Sequence, residues 1–273
     1  FKPDFFLYEN NQSAAQPIKD QISRDLGVEL MNINSALVSA QNRPRFYAFN
    51  WKVESPADRG IQVSDILEDI DCGPIGYLKP SVRVKVEREY NAIVACQDKR
   101  LWKCDCTCSW ADNVVGLKKS PTIRANNRCC VVRDKKGRIR MITLTEAERL
   151  QTLPEGYTLG VPDAQRHKGI GNGWTAEIII HILSGALKDV PKGEEIVVLS
   201  MYDGIGTGRY CLDKMGFTNV TYYAYEIDKY AMQIAKKTYP DIIEMGDAFA
   251  VREPGWILDH KATVVEDDDD WMN

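Results

Sequence analysis

The spacing of apolar residues changes character several times along this chain. Phe5-Phe6-Leu7-Tyr8 is a short unbroken apolar run closing on Glu9-Asn10, the pattern of a buried parallel strand that ends where ligands bind. Pro17 at a first helical position, Ile18, Ile22 and Leu26 at four-residue spacing, and Gly27 as a stop predict a helix of about three turns. Alternation over 28–33 and the run 45–51 predict two further strands.

From about Asp58 the elements shorten, and glycines, prolines, cysteines and positive charge accumulate up to Arg140. The segment 139–142 then reads as a strand, and Thr145 with Glu148 three residues on reads as a capping box for a helix that Pro154 ends. The longest predicted helix runs over 175–190, with Ile178, Ile179, Ile182, Leu183, Ala186 and Leu187 as a wide apolar face. After the turn Pro191-Lys192-Gly193 the pattern becomes strand (196–199), helix (207–215), strand (220–225), helix (229–237, Asp228 as N-cap) and strand (242–243). The resulting division is 1–57 and 139–190 as parts of one α/β domain, 58–138 as a second domain, 191–260 as a Rossmann-like half and 261–273 as an acidic tail.

With 273 residues and 44% hydrophobic positions, the chain can bury a large core and a satellite subdomain. Phe1 in place of Met suggests that it begins partway into a domain. No apolar run reaches the about 18 residues of a membrane span, and no secretion signal opens the chain, so a soluble cytoplasmic protein is expected. The eight cysteines are therefore expected to be reduced. Cys104, Cys106 and Cys108 alternate, unlike the usual gap between zinc ligands, and no metal site is assigned.

Net charge is −4, yet between Lys118 and Arg140 nine basic residues face one acidic residue, Asp134, an excess of eight. That isolation in an acidic chain points to a polyanion partner. Lys118, Lys119, Arg124 and Arg128 are its candidate contacts. An ordinary solvated hairpin is the competing reading.

The densest chemistry lies at Asp203-Gly204-Ile205-Gly206-Thr207-Gly208, between a strand and a helix. Glycines there let backbone approach a ligand and aim helix N-terminal N–H groups at it. Glu226 stands 22 residues beyond Gly204 at the next strand end, where a carboxylate reaches ribose hydroxyls, and Asp247 ends the third strand, placed for an adenine amino group. The Gly-x-Gly-x-Gly spacing departs from the nicotinamide fingerprint and favours a nucleotide-type cofactor without a pyrophosphate.

The run Met201-Tyr202-Asp203-Gly204-Ile205-Gly206-Thr207-Gly208 resembles the first motif of the DNA cytosine-5 methyltransferases, nearest to the animal de novo branch and its bacterial or phage relatives. Glu226 with Ile227, and Gly246-Asp247, resemble the second and third motifs. Glu9-Asn10 is similar to Glu-Asn-Val, Gln41-x-Arg43-x-Arg45 to Gln-x-Arg-x-Arg, residues 144–154 to the ninth motif, and Gly171-Asn172-Gly173-Trp174 to the tenth. The resemblance implies an α/β, Rossmann-like S-adenosylmethionine-dependent methyltransferase with a smaller target-recognition domain, acting on double-stranded DNA, as in bacterial restriction-modification. Motif order implies a circular permutation, because the glycine loop follows the tenth motif.

By the same resemblance S-adenosylmethionine would meet Tyr202, Asp203, Gly204, Ile205, Gly206, Thr207, Gly208, Glu226, Ile227, Asp247 and Asn172. Glu9 would hold cytosine N3 and accept from N4, with Arg43 and Arg45 near the flipped nucleotide. The family's nucleophile is a cysteine in a Pro-Cys loop, a thiolate that adds at C6 and makes C5 nucleophilic. No Pro-Cys pair occurs in the chain, so that loop is expected upstream of residue 1 or on a partner polypeptide, and this chain alone is expected to be inactive. A non-catalytic accessory subunit of a split methyltransferase, or an enzyme acting on RNA or a small molecule, are the alternatives.

Overall fold

The computed structural model describes residues 3–69, 118–125, 131–133 and 139–252. Its first part is a three-stranded antiparallel sheet. Strand β1 (Leu7–Asn11) and β2 (Met31–Asn34) flank β3 (Pro44–Phe49), and α1 (Gln16–Leu26) joins β1 to β2. Gly27 closes α1 in the left-handed conformation, as its position predicts.

The expected parallel strand over residues 5–8 is corrected here. The strand starts at Leu7, runs antiparallel to β3 and is only half-buried, because β1 lies at the sheet edge. Phe5 precedes it and meets Trp51 edge-on at 5.8 Å. Glu9 thus sits in mid-strand opposite Tyr47, on the same face as Arg45, which is paired with Asn11.

Between the two sheets come α2 (Val63–Ile66), the hairpin β4 (Val131–Arg133) with β5 (Ile139–Met141), α3 (Leu144–Leu150), α4 (Asp163–Asn172) and α5 (Ala176–Leu187). The capping box of α3 is Thr143 with Glu146, two residues before the pair expected from the sequence. Glu148 is occupied elsewhere: buried, it accepts from the backbone N–H groups of Gly156 and Thr158 and from Arg166. Helix α4 escapes a periodicity reading because its sequence is polar and carries Gly169 and Gly171. The described ends of the expected second domain pack into the main body. Val63, Ile66, Leu67, Ile123 and Val132 share a core with Ala40, Leu150 and Ile170.

The last part is a β-α-β-α-β unit: β6 (Ile196–Met201), α6 (Thr207–Lys214), β7 (Val220–Tyr225), α7 (Lys229–Thr238) and β8 (Ile243–Gly246). Its three strands are parallel in the order β6-β7-β8, the α/β pattern expected from the sequence. Helix α5 ties this unit to the first sheet. Ile178, Ile179 and Ile182 are fully buried, each gaining roughly 1.5–3 kcal/mol by burial, in one core with Ile33, Tyr47, Cys211 and Tyr222. Trp51 donates its indole N–H to the Ile182 carbonyl at 2.9 Å on one side, and the Cys211 thiol meets the Ala176 carbonyl on the other. Among the described residues no helix is long and apolar enough to cross a membrane.

Close backbone approach fixes one glycine absolutely. A Cβ on Gly171 would lie 2.4 Å from the Ala125 backbone nitrogen, which has no flexible side chain to move aside. Gly171→Ala should therefore lower stability by about 1–3 kcal/mol or more through overpacking. Gly193→Ala, with nothing near the added atom, should leave the chemical-denaturation midpoint unchanged.

Candidate functional site

The loop after β6 is shaped by conformations that few residues tolerate. Tyr202 has φ +59° although it is not glycine, and its ring is 67% exposed. Gly206, at φ +74°, caps α6 and lies so close to α7 that a Cβ would be 2.9 Å from the Ala235 Cβ. Gly208 leaves room for the Tyr222 hydroxyl, which would otherwise be 2.4 Å from its Cβ. That hydroxyl donates to Asp203 Oδ1 at 2.7 Å, and Ser200 donates to the same oxygen at 2.6 Å. Burial pushes the Asp203 carboxyl above its usual range, and the two hydroxyls partly offset this.

Glu226 clamps the loop from the end of β7. Its Oε2 accepts from the Gly204 N–H at 2.8 Å, while Oε1 accepts from the N–H groups of Ile227 and Asp228, both at 2.8 Å. Tyr157 fixes the other side by donating to the Ile205 carbonyl at 2.8 Å. Asp228 caps α7 as expected and takes an ion pair from Lys168 of α4 at 2.5 Å.

These elements enclose a cleft of about 470 Å³. Of the residues expected to bind a cofactor, Tyr202, Asp203, Gly204, Ile205, Thr207, Glu226, Ile227 and Asn172 line it. Gly206 and Gly208 shape the loop from behind. Asp247 is not part of the lining; its carboxylate accepts from the Phe249 N–H at 2.9 Å, capping the short 3-10 turn 248–252. Trp174, Lys168, Ser200 and Tyr230 also line the cleft and were not singled out from the sequence as cofactor contacts. The tenth-motif resemblance was the available signal for Trp174. The Thr207 hydroxyl is buried in the lining without a hydrogen-bond partner.

Beside the cleft, Glu9 and Arg45 form an ion pair of 2.8 Å between Oε1 and Nε. Trp174 donates its indole N–H to the other carboxylate oxygen of Glu9 at 3.1 Å. Arg43 does not join them. It is 4% exposed, and its guanidinium donates to the carbonyls of Ile123 (2.9 Å), Gly171 (3.1 Å) and Gly173 (2.9 Å). The expectation that Arg43 faces a substrate nucleotide is thereby corrected: an alternating pair around Pro44 can share a face, but these carbonyls consume the fork. Burial, reinforced by Arg45, lowers its pKa to about 10, with Glu9 opposing.

Gln41 and Gln151 continue this buried network. Gln41 donates to the Leu150 carbonyl and accepts from the Ile123 N–H; Gln151 donates to the carbonyls of Ile170 and Gly173. Thr175, next to Trp174, bonds Gln151 and Ser35.

Among the expected DNA contacts, Lys118 and Arg124 are exposed, and Arg128 lies outside the described residues. Lys119 is withdrawn as a phosphate contact, since its three N–H donors meet the carbonyls of Ala36, Ser39 and Ile61 at 2.6–2.9 Å. Cys211 is the one cysteine among the described residues, and burial raises its thiol pKa far above the usual value. The other seven cysteines lie outside them, and among the described residues no group of three or more metal-ligating side chains occurs.

No family model and no curated protein matches the chain. Among solved structures it is similar to the methyltransferase EhMeth of Entamoeba histolytica, with a TM-score of 0.47 and 13% identity over 70% of this chain and 64% of that one. It is also similar to a substituted DNMT2 of Spodoptera frugiperda, with a TM-score of 0.41 and 14% identity over 66% of each chain. The chain thus spans just under two thirds of the length of these two structures. At such scores neither likeness bears on the reaction.

Glu244, on β8, is pushed up to about 7 by burial and then by the neighbouring Asp203 and Glu226. A carboxyl raised above its ordinary 4.5 favours folding at low pH, and that contribution is lost as pH rises through about 7. Glu244→Gln should therefore flatten the fall in melting temperature between about pH 5 and pH 7. Parallel wild-type and variant profiles in differential scanning fluorimetry would contradict this.

Proposed function

We propose that this chain is the cofactor-binding and base-handling part of an S-adenosylmethionine-dependent DNA cytosine-5 methyltransferase of circularly permuted order. The observation that supports it is the shared wall. Trp174 belongs at once to the cleft over the glycine loop and to the Glu9–Arg45 pair, so a nucleotide-type cofactor and a carboxylate for base handling would meet at one place.

The cleft fits the cofactor chemically. The N-terminus of α6 and the unpaired Thr207 hydroxyl suit the carboxylate of a methionyl group. Glu226 has lone pairs left after its three backbone bonds and suits ribose hydroxyls. The exposed faces of Tyr202 and Ile227 suit the faces of a purine. S-adenosylmethionine would supply the electrophilic methyl group. Glu9 would accept from N4 of an extruded cytosine and hold a proton at N3, and Arg45 would keep that carboxylate oriented.

On this reading the nucleophile would come from a Pro-Cys segment on another stretch of polypeptide, since no Pro-Cys pair occurs among these 273 residues; Cys211, the one described cysteine, is buried in α6. The accessory-subunit alternative keeps the same cleft and differs only in whether such a segment ever completes it. Among the described residues, Lys118 and Arg124 are the exposed ones of the expected DNA contacts and would meet phosphate.

Two measurements test this. Isothermal calorimetry should show S-adenosylmethionine binding that Glu226→Ala weakens about tenfold or more, roughly 1.4 kcal/mol. A nicotinamide nucleotide binding more tightly, or an unaffected variant, would contradict the assignment. Replacing Lys118 and Arg124 together by alanine should weaken binding to all DNA sequences alike and reduce the salt slope by about two. An unchanged slope would place the DNA surface elsewhere.

A further inference from the structure

We propose that Trp174 is a positioning residue that couples occupancy of the cleft to the orientation of Glu9, so that a filled cofactor site strengthens the hold on the carboxylate. The inference rests on the function proposed above and deepens it.

The backbone on either side of Trp174 is immobilised. The Gly173 carbonyl accepts from Arg43 and Gln151 at 2.9 and 3.1 Å, and the Gly173 N–H donates to the Gly169 carbonyl at 2.9 Å. Thr175, on the far side, is buried and bonded through its hydroxyl to Ser35 and Gln151. Its carbonyl accepts from the Ile178 and Ile179 N–H groups in the first turn of α5. The degree of freedom left at position 174 is the indole itself.

That indole is half-buried between two chemistries. One edge lies against the start of α6, with Cζ3 3.7 Å from where a Gly208 Cβ would be, and the ring forms part of the cleft wall. Its N–H points the other way, to Glu9 Oε2 at 3.1 Å. Glu9 does not itself line the cleft. Its two oxygens are held by one donor from its own sheet, Arg45, and by one from the cofactor wall, Trp174. A ligand that packs on the indole selects the rotamer that donates to Glu9. By linkage the same free energy must appear in reverse, as an effect of Glu9 on cofactor affinity.

The test is a double-mutant cycle on the full chain, read by calorimetric affinity for S-adenosylmethionine. Glu9→Gln turns one of the two acceptor oxygens into an NH2 donor, so in this geometry the Arg45 and Trp174 donors compete for the one oxygen left. Trp174→Phe keeps the ring and removes the N–H. Glu9→Gln should weaken binding about fivefold in the wild-type background and leave it unchanged in the Trp174→Phe background. The emission difference between wild type and Trp174→Phe should shift both on adding cofactor and on introducing Glu9→Gln.

Equal affinities of wild type and Glu9→Gln would overturn the coupling while leaving the cofactor assignment intact. A Glu9 effect that persists undiminished in Trp174→Phe would also overturn it, since another path would carry the energy. If wild type itself fails to bind, the cofactor reading falls and the coupling with it. Should Trp174→Phe not fold, Trp174→Tyr, which also lacks the indole N–H, takes its place in the cycle, and equal affinities of wild type and Glu9→Gln still overturn the coupling.

Discussion

The buried guanidinium of Arg43 is the interaction on which the rest of the site depends. It reaches from the residue before β3 to three carbonyls on two other segments, at Ile123 and at Gly171 and Gly173. Each carbonyl lost from such a network would leave a buried acceptor unsatisfied, at a cost of about 1–3 kcal/mol. Gln41 and Gln151 share the task, so the turn after α4 is held by side chains that lie just before β3 and just after α3 and not by regular secondary structure. Trp174 and the start of α5 follow directly from that turn. The position of the cleft wall is therefore set from the antiparallel sheet, although the glycine loop belongs to the parallel one.

The two sheets divide the work by their hydrogen-bonding pattern. The parallel strands β6 and β7 end together, which brings Asp203 and Glu226 to one edge and lets Glu226 reach back to Gly204. In the antiparallel sheet the neighbouring chain ends point opposite ways. The pair that matters there, Glu9 and Arg45, comes from the middle of a strand and a diagonal neighbour on the same face. Helix α5, packed against both, keeps the two geometries in register.

Much of this was legible in the sequence where a local rule applied. The β-α-β-α-β unit followed from unbroken apolar runs alternating with helical spacing, and the glycine loop from its place between strand and helix. The direction of β1 was not legible, because an apolar run of four residues reads the same whether its neighbour is parallel or antiparallel. Helix α4 was missed because its buried side is made by Arg166, His167 and Gly171 as well as Ile170, which no hydrophobic period reports. Arg43 and Lys119 were read as surface chemistry for one shared reason. A cation's role depends on whether carbonyls from distant segments converge on it, and that is a property of the fold alone.

Strand β6 has one further consequence. It opens on the apolar run Ile196–Leu199, yet among the described residues it pairs only with β7, and Val197 remains 48% exposed. A long apolar edge with unpaired N–H and C=O groups is a template for pairing with any extended chain that reaches it. As far as the described residues go, the strand that leads to the glycine loop presents such an edge. Solubility and assembly of the site are then one problem, because whatever polypeptide covers that edge also settles the strand end from which Tyr202 and Asp203 project.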